Sequence, residues 1–144
     1  MQEANFTVHY LIPPTGNHYK SACKYIGRDG NLHLGFKITP AALAYYDAVA
    51  IFAQGACVSP KTENERREVN YAITMDVYLG PRQRGDADNF LKCGVDGLVK
   101  AGVIHSDANV KVCKVTVHRE NRDYPHTTYN VRQMTKEETD GAID

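Results

Sequence analysis

The chain has 144 residues, 42% hydrophobic and 24% charged, the proportions of one ordinary globular domain. Seventeen basic residues balance seventeen acidic ones, so net charge selects no particular partner. No apolar run approaches the roughly 18 residues of a membrane span, and the sequence expectation is a chain without membrane contact. Met1-Gln2-Glu3-Ala4-Asn5 has neither the charged nor the apolar region of a secretion signal. The four cysteines, Cys23, Cys57, Cys93 and Cys113, are scattered without paired spacing. A reduced, cytoplasmic protein without a zinc knuckle is therefore expected.

Phe6, Val8, Tyr10 and Ile12 alternate with other residues and predict a first strand, stopped by Pro13-Pro14. Apolar runs over Tyr19–Ile26 and Leu32–Ile38 flank Gly27-Arg28-Asp29-Gly30, a hairpin signal. Thr39-Pro40 reads as a helix cap followed by proline at the first helical position. Leu43, Tyr46, Val49, Ala50 and Ala53 then repeat at helical spacing as far as Gly55. Residues 59–67 read as a polar connection. From Val69 to Leu79 apolar and other residues alternate strictly, predicting a strand with one buried face.

A loop over Gly80–Gly85 leads into Asp86-Ala87-Asp88-Asn89 and a second helix ending near Ala101, before Gly102. Leu91, Val95 and Leu98 are its expected apolar stripe, with Asp88, Lys92 and Asp96 on a polar face. Gly94 and Gly97 predict close backbone packing. Val110–His118 changes apolar phase between Val112 and Cys113, which predicts a bulged strand. Thr127–Gln133 reads as the last strand. Residues 136–144 hold one basic and four acidic residues and read as a flexible acidic tail, leaving 1–135 as the folded domain. The predicted class is α+β or mixed α/β, a single compact domain with one mixed sheet and two main helices.

The chemistry concentrates around Asp86 and Asp88. In extended backbone, side chains two residues apart point to one side and can converge on one cation. Oxygen ligands of this kind, completed by water and a substrate phosphate, suit Mg²⁺. Asp88 is equally suited to cap the helix. Lys92, one turn on, brings a cation to the same face, or forms an ordinary ion pair. Asp107, by spacing alone, reads as a loop-capping residue. Asp76, opposite the buried face of its strand, is a weaker supplementary ligand. The six histidines show no metal spacing.

The run Gly85–Val110, GDADNFLKCGVDGLVKAGVIHSDANV, resembles the core of the RusA family of Holliday-junction resolvases. That pattern is D-x-D-N, then Lys, then D-x-L, an Ala-Gly turn and an acid before a strand. Pro13-Pro14-Thr15-Gly16-Asn17-His18-Tyr19 is similar to the family's segment after strand one. Two departures stand out: Gly85 occupies the place before the first Asp where the family usually has Arg, and Ser106-Asp107 replaces two adjacent acids.

The resemblance implies a Mg²⁺-dependent endonuclease, with Mn²⁺ able to substitute, that resolves four-way DNA junctions by paired symmetric nicks in recombination and repair. It makes Asp86, Asp88 and Asp107 the metal-binding carboxylates and Lys92 the catalytic cation, with Asp96 in a structural or ion-pair role. Six residues, 102–107, reach at most about 20 Å. That just returns Asp107 to Asp88 in its own chain, or takes it to a partner's site. Arg82, Arg84, Lys100, Lys111 and Lys114 are the expected phosphate-contacting rim, and His18 and Tyr19 are placed to stack on exposed bases. A two-fold homodimer is expected because a junction presents two matched strands. Its contact is expected on the apolar side of the first helix or the Gly94/Gly97 face. The alternatives are a non-catalytic junction-binding protein and, more remotely, a metal-dependent nucleotide-using transferase.

Overall fold

Residues 2–15, 20–120 and 123–143 are described by the computed structural model. Their elements in chain order are β1 (Glu3–His9), β2 (Lys20–Ile26), β3 (Leu32–Ile38), α1 (Pro40–Ala53), α2 (Glu63–Glu68), β4 (Tyr71–Tyr78), α3 (Ala87–Lys100), β5 (Val110–His118), β6 (His126–Gln133) and α4 (Lys136–Ile143). A 3₁₀ turn at Asp107–Asn109 leads into β5. The main sheet has strand order β1-β6-β4-β5, and β2 and β3 pair as a separate two-stranded sheet. β4 and β5 are parallel, while β6 runs antiparallel to both β1 and β4, so the main sheet is mixed and the class is α+β.

The alternation read over Val69–Leu79 becomes the central strand. Tyr71, Ile73, Met75 and Val77 are buried against the helices, while Thr74, Asp76 and Tyr78 are only partly covered. α1 starts as expected, with the Thr39 side chain accepting a hydrogen bond from the Ala42 amide at 3.2 Å. Beneath it the Tyr45 hydroxyl donates to the Tyr129 hydroxyl at 2.6 Å, and Tyr129 donates to the Gly94 carbonyl at 3.1 Å. These bonds tie α1, β6 and α3 together inside the core. Burial pushes both phenols above their ordinary range, so both remain proton donors.

Several expectations need correction. β1 begins at Glu3 rather than Phe6 and ends at His9, because Tyr10 takes a positive φ of 67° that no strand can continue through. The polar connection contains α2, which buries none of its residues. A Thr62 cap, acids in the first turn and arginines in the last support it, and apolar periodicity could not have revealed it. The β5 irregularity lies at Lys111: Tyr71 pairs with Val110 and Ala72 with Val112. The extra residue lets Val110 and Cys113 both lie against the core.

The acidic segment is also ordered, as α4. Thr135 and Glu138 exchange side-chain-to-amide hydrogen bonds at 3.1 and 3.2 Å, a reciprocal cap. Arg132 then grips the Glu138 carboxylate with two bonds of 2.8 and 2.7 Å.

α3 buries Phe90, Cys93, Gly94, Val95, Gly97 and Leu98, whereas Leu91 lies on the outer side. A Cβ at Gly94 would run into the Met75 side chain, and one at Gly97 would press on Val49 at 3.2 Å. The two glycines therefore pack α3 onto β4 and α1 as expected, and for that reason their face is closed to any second chain. The Gly94/Gly97 dimer contact is thereby excluded.

Candidate active site

The crossover β4–α3–β5 positions the functional side chains. Parallel pairing of β4 and β5 sends the chain back along the sheet as α3, so the loop after β4 and the end of β5 lie side by side. In that loop the Gly80 amide donates to the Gln83 side chain at 2.6 Å, and Arg82 holds a positive φ of 67°. Gly85 follows with φ 150°, and a Cβ there would collide with the Phe90 ring. Arg at this position, as in the family's usual pattern, would not fit. Arg119, just beyond β5, fastens the loop by donating to the Gly85 carbonyl at 2.9 Å and the Asp86 carboxylate at 3.0 Å.

Asp86, not Asp88, is the helix cap residue, and its side chain makes no capping hydrogen bond. Asp88 lies in the first helical turn, so the pair is not the extended Asp-x-Asp anticipated from spacing. Negative charge in that turn is favoured by the helix dipole.

Asp88, Lys92, Asp107 and Lys111 line one pocket of about 350 Å³, together with Leu91, Val95, Val110 and Cys113. Lys92 Nζ lies 3.2 Å from Asp96 and 3.3 Å from Asp107. The hydrogen bond to Asp96, followed by the charge of that acid and of Asp107, holds the ammonium above its ordinary range. Lys92 therefore stays protonated at any physiological pH. Asp96 has the ion-pair role expected of it. Asp107 reaches the pocket of its own chain, carried there by the turn after α3: Ser106 Oγ accepts from the Ala108 amide at 3.1 Å and fixes the 3₁₀ turn.

Asp86 does not line this pocket; its carboxylate is held by Arg119 instead. Among the described residues no three His, Cys, Asp or Glu side chains are grouped closely enough to hold a metal ion. A hard divalent cation usually takes one or two protein carboxylates and completes its shell with water and phosphate, so two carboxylates in one pocket could hold one. Asp88 and Asp107 are the two acids of this pocket, and their all-oxygen donor set would suit a hard cation.

Of the expected phosphate rim, Lys111 lines the acidic pocket itself. Arg82 and Arg84 are exposed on the loop before Asp86, Lys100 is exposed at the end of α3, and Lys114 is exposed on β5. His18 and Tyr19 lie outside the described residues. Asp76 does not line the acidic pocket and is paired with His118 at 2.8 Å.

Sequence reasoning missed Arg119, which contacts Asp86 across 33 residues of chain. The signal that could have found it is topological: parallel strands carry functional groups beyond their carboxyl ends, and Arg119 directly follows β5. It also missed the rung of rings beside it, where Tyr78 is sandwiched between His118 and His126 at 4.2 Å on each side. This rung borders a hollow of about 620 Å³ that Arg119 and Glu120 also line.

The family model described as endodeoxyribonuclease RusA matches residues 3–132, from the first residue of β1 into β6. No curated protein matches the chain at a significant level. Among the described residues no helix is long and apolar enough to cross a membrane. Asp86, Asp88, Lys92 and Asp107 all fall within the matched span, which covers most of the chain. The chain belongs to the RusA family of endodeoxyribonucleases, hydrolases that act on DNA.

Proposed function

We propose that this enzyme resolves four-way DNA junctions by paired, symmetric nicks, with Mg²⁺ as cofactor and Mn²⁺ as a substitute, acting as a two-fold homodimer in recombination and repair. The observation that carries the reading is the pocket in which one chain gathers Asp88, Lys92, Asp107 and Lys111. Acids beside lysines suit a phosphodiester: the acids require a cation to tolerate phosphate, and the lysines meet its charge directly.

In hydrolysis, water attacks phosphorus, the bond to the 3′-oxygen breaks, and negative charge grows on the phosphoryl and departing oxygens. Asp88 and Asp107 would hold the cation, and Asp86, the third expected ligand, would join them only by leaving Arg119. When bound, the cation neutralises phosphoryl charge and lowers the pKa of water. Lys92, kept protonated by Asp96 and Asp107, supplies a fixed positive charge against the developing one. Lys111, with Arg82 and Arg84 on the loop before Asp86, holds neighbouring phosphates and sets the strand's position. Lys100 and Lys114 extend that rim. His18 and Tyr19 are proposed to stack on bases exposed at the branch point.

The test is incubation of an end-labelled four-way junction and a sequence-matched linear duplex with the protein, with and without Mg²⁺. Symmetric nicks on the junction alone, dependent on Mg²⁺, are expected. Equal cutting of the duplex would remove the structure selectivity. Junction binding without cleavage at any divalent-ion concentration would leave a non-catalytic binding protein.

A further inference from the structure

The rung of rings beside Arg119 stands on the face of the main sheet that looks away from α1 and α3. Side chains alternate along β4, so Ile73, Met75 and Val77 are buried against the helices, while Thr74, Asp76 and Tyr78 point to the other side. Register sets Tyr78 beside His118 of β5 and beside His126 of β6. The three rings are nearly parallel, with interplanar angles of 8° and 5°. Tyr124 extends the row, 4.7 Å from His126. α4 is pinned to the far end of this face, where Arg132, opposite Ala72, grips Glu138.

Each histidine of the row is held by one ring nitrogen. His118 Nε2 donates to the Asp76 carboxylate at 2.8 Å, and His126 Nδ1 donates to the Tyr124 carbonyl at 3.2 Å. Both ring planes are therefore set before any ligand arrives, as a binding site requires. Asp76, absent from the acidic pocket, has its task here. The stack ends at His118: β5 is an edge strand, so among the described residues no strand lies beyond that imidazole, and its side chain is 35% exposed. A cross-strand ring pair steadies a sheet only slightly, and a row built for the core would be covered.

The hollow of about 620 Å³ beside this end is lined by Tyr78, Val117, His118, Arg119, Glu120 and His126. That volume is within the range of small-molecule sites. One guanidinium and one carboxylate balance there, so charge does not draw a run of phosphates; the hollow offers ring surface. An unpaired nucleobase of any kind has a face to lay on such a ring. Arg119 joins the hollow to the chemistry, because the guanidinium that lines it also donates to the Gly85 carbonyl and the Asp86 carboxylate.

We infer that this hollow is a nucleotide subsite: it takes an unpaired base next to the phosphate being cut, stacked on the outer face of His118, with the backbone of that nucleotide passing Arg119 towards the acidic pocket. The inference rests on the junction-nuclease reading, since a branched strand is what offers an unpaired base beside a cut. His118 binds the base, Asp76 positions His118, and Tyr78 and His126 back the stack.

The test measures junction binding by the full chain without divalent ions, so that the DNA stays intact; nicks mapped separately with Mg²⁺ fix the position of the cut. Junctions carry one abasic residue, placed in turn at each position flanking the cut. At one of these positions the loss of the base should weaken wild-type binding by about 5–150-fold, the range of one base–aromatic stack. His118→Ala should lose the same factor on the intact junction and nothing further on the abasic one, and His118→Phe should restore binding. A 5-iododeoxyuridine at that position should photocrosslink to His118 or Tyr78. The abasic and crosslinking arms use the wild-type chain, so they read the subsite even where His118→Ala fails to fold. Independent, additive losses would overturn the subsite, as would wild-type binding indifferent to every abasic position or crosslinks confined to another face. In those cases junction-selective cutting would still stand. A chain that neither binds nor cuts any junction would overturn the nuclease reading and the subsite with it.

Discussion

The two faces of α3 have opposite designs within 14 residues. The inner face holds Phe90 and Leu98, both fully buried, with Gly94 and Gly97 set against Met75 and Val49. Every group there is either apolar or already hydrogen-bonded, as Tyr129 is to Gly94. The outer face holds Asp88, Lys92 and Asp96, half exposed or more in the case of Lys92, and makes ion pairs that contribute little to folding in water. Contacts that specify the fold and contacts suited to a phosphate are thus separated by a half-turn of one helix. Substitutions on the inner face should change stability, and those on the outer face activity.

The largest expected effect is on the inner face. Phe90→Ala should cost about 3–5 kcal/mol, because the ring is fully buried and lies under Gly85. Denaturant unfolding measures it, and a loss below about 1 kcal/mol would mean the core collapses around the gap. Next comes Asp88→Asn on the outer face. Cleavage should fall by about 10²–10³-fold, the usual cost of deleting one electrostatic contributor. Stability should change by less than about 1 kcal/mol, since only a favourable charge at a helix start is lost. Junction affinity without metal should hold or rise slightly; a joint loss of folding and binding would make Asp88 structural.

A smaller effect is expected for Tyr129→Phe, about 1–2 kcal/mol, because it leaves the buried Tyr45 hydroxyl without its acceptor. Thermal unfolding alongside Tyr45→Phe should show the two changes to be non-additive, as members of one hydrogen-bonded chain.

The smallest effect lies outside α3 and bounds the comparison. The Arg132 hydrogen bonds, helped by the Thr135 amide, hold the Glu138 carboxyl down to about 2 from an ordinary 4.5. A depressed carboxyl pKa stabilises the folded form above 4.5, and that contribution is lost as pH falls from there towards about 2. Amide exchange over 136–143 should accelerate in that window while β4 stays protected. Equal protection of α4 on both sides of the window would show that Glu138 does not hold it.

Local chemistry was legible from the residues. Thr39-Pro40 started α1, Gly102 ended the crossover helix at a φ of 77°, and the period-two run gave β4 its buried face. The D-x-D-N run with Lys92 and the later Asp107 also stood out, and through them the family. Where reading failed locally, the competing signal was non-periodic: α2 and α4 rest on caps and charge placement with few apolar residues. Thr135-Lys136-Glu137-Glu138 carries the reciprocal cap pattern in plain sequence, masked by the expectation that an acidic end stays unstructured.

The sequence by itself determined the helices and strands whose signals are periodic or capped, among them α1, α3 and the buried face of β4, because propensity, capping and periodicity act over a few residues. Tertiary structure alone decided that Asp107 and Lys92 share a pocket while Asp86 turns to Arg119, that Tyr78 is held between two histidines, and that the β2–β3 hairpin stands apart from the main sheet. Each of those outcomes depends on strand order and on groups tens of residues apart. No local rule encodes them, because they follow from how the whole sheet pairs and which apolar faces find cover.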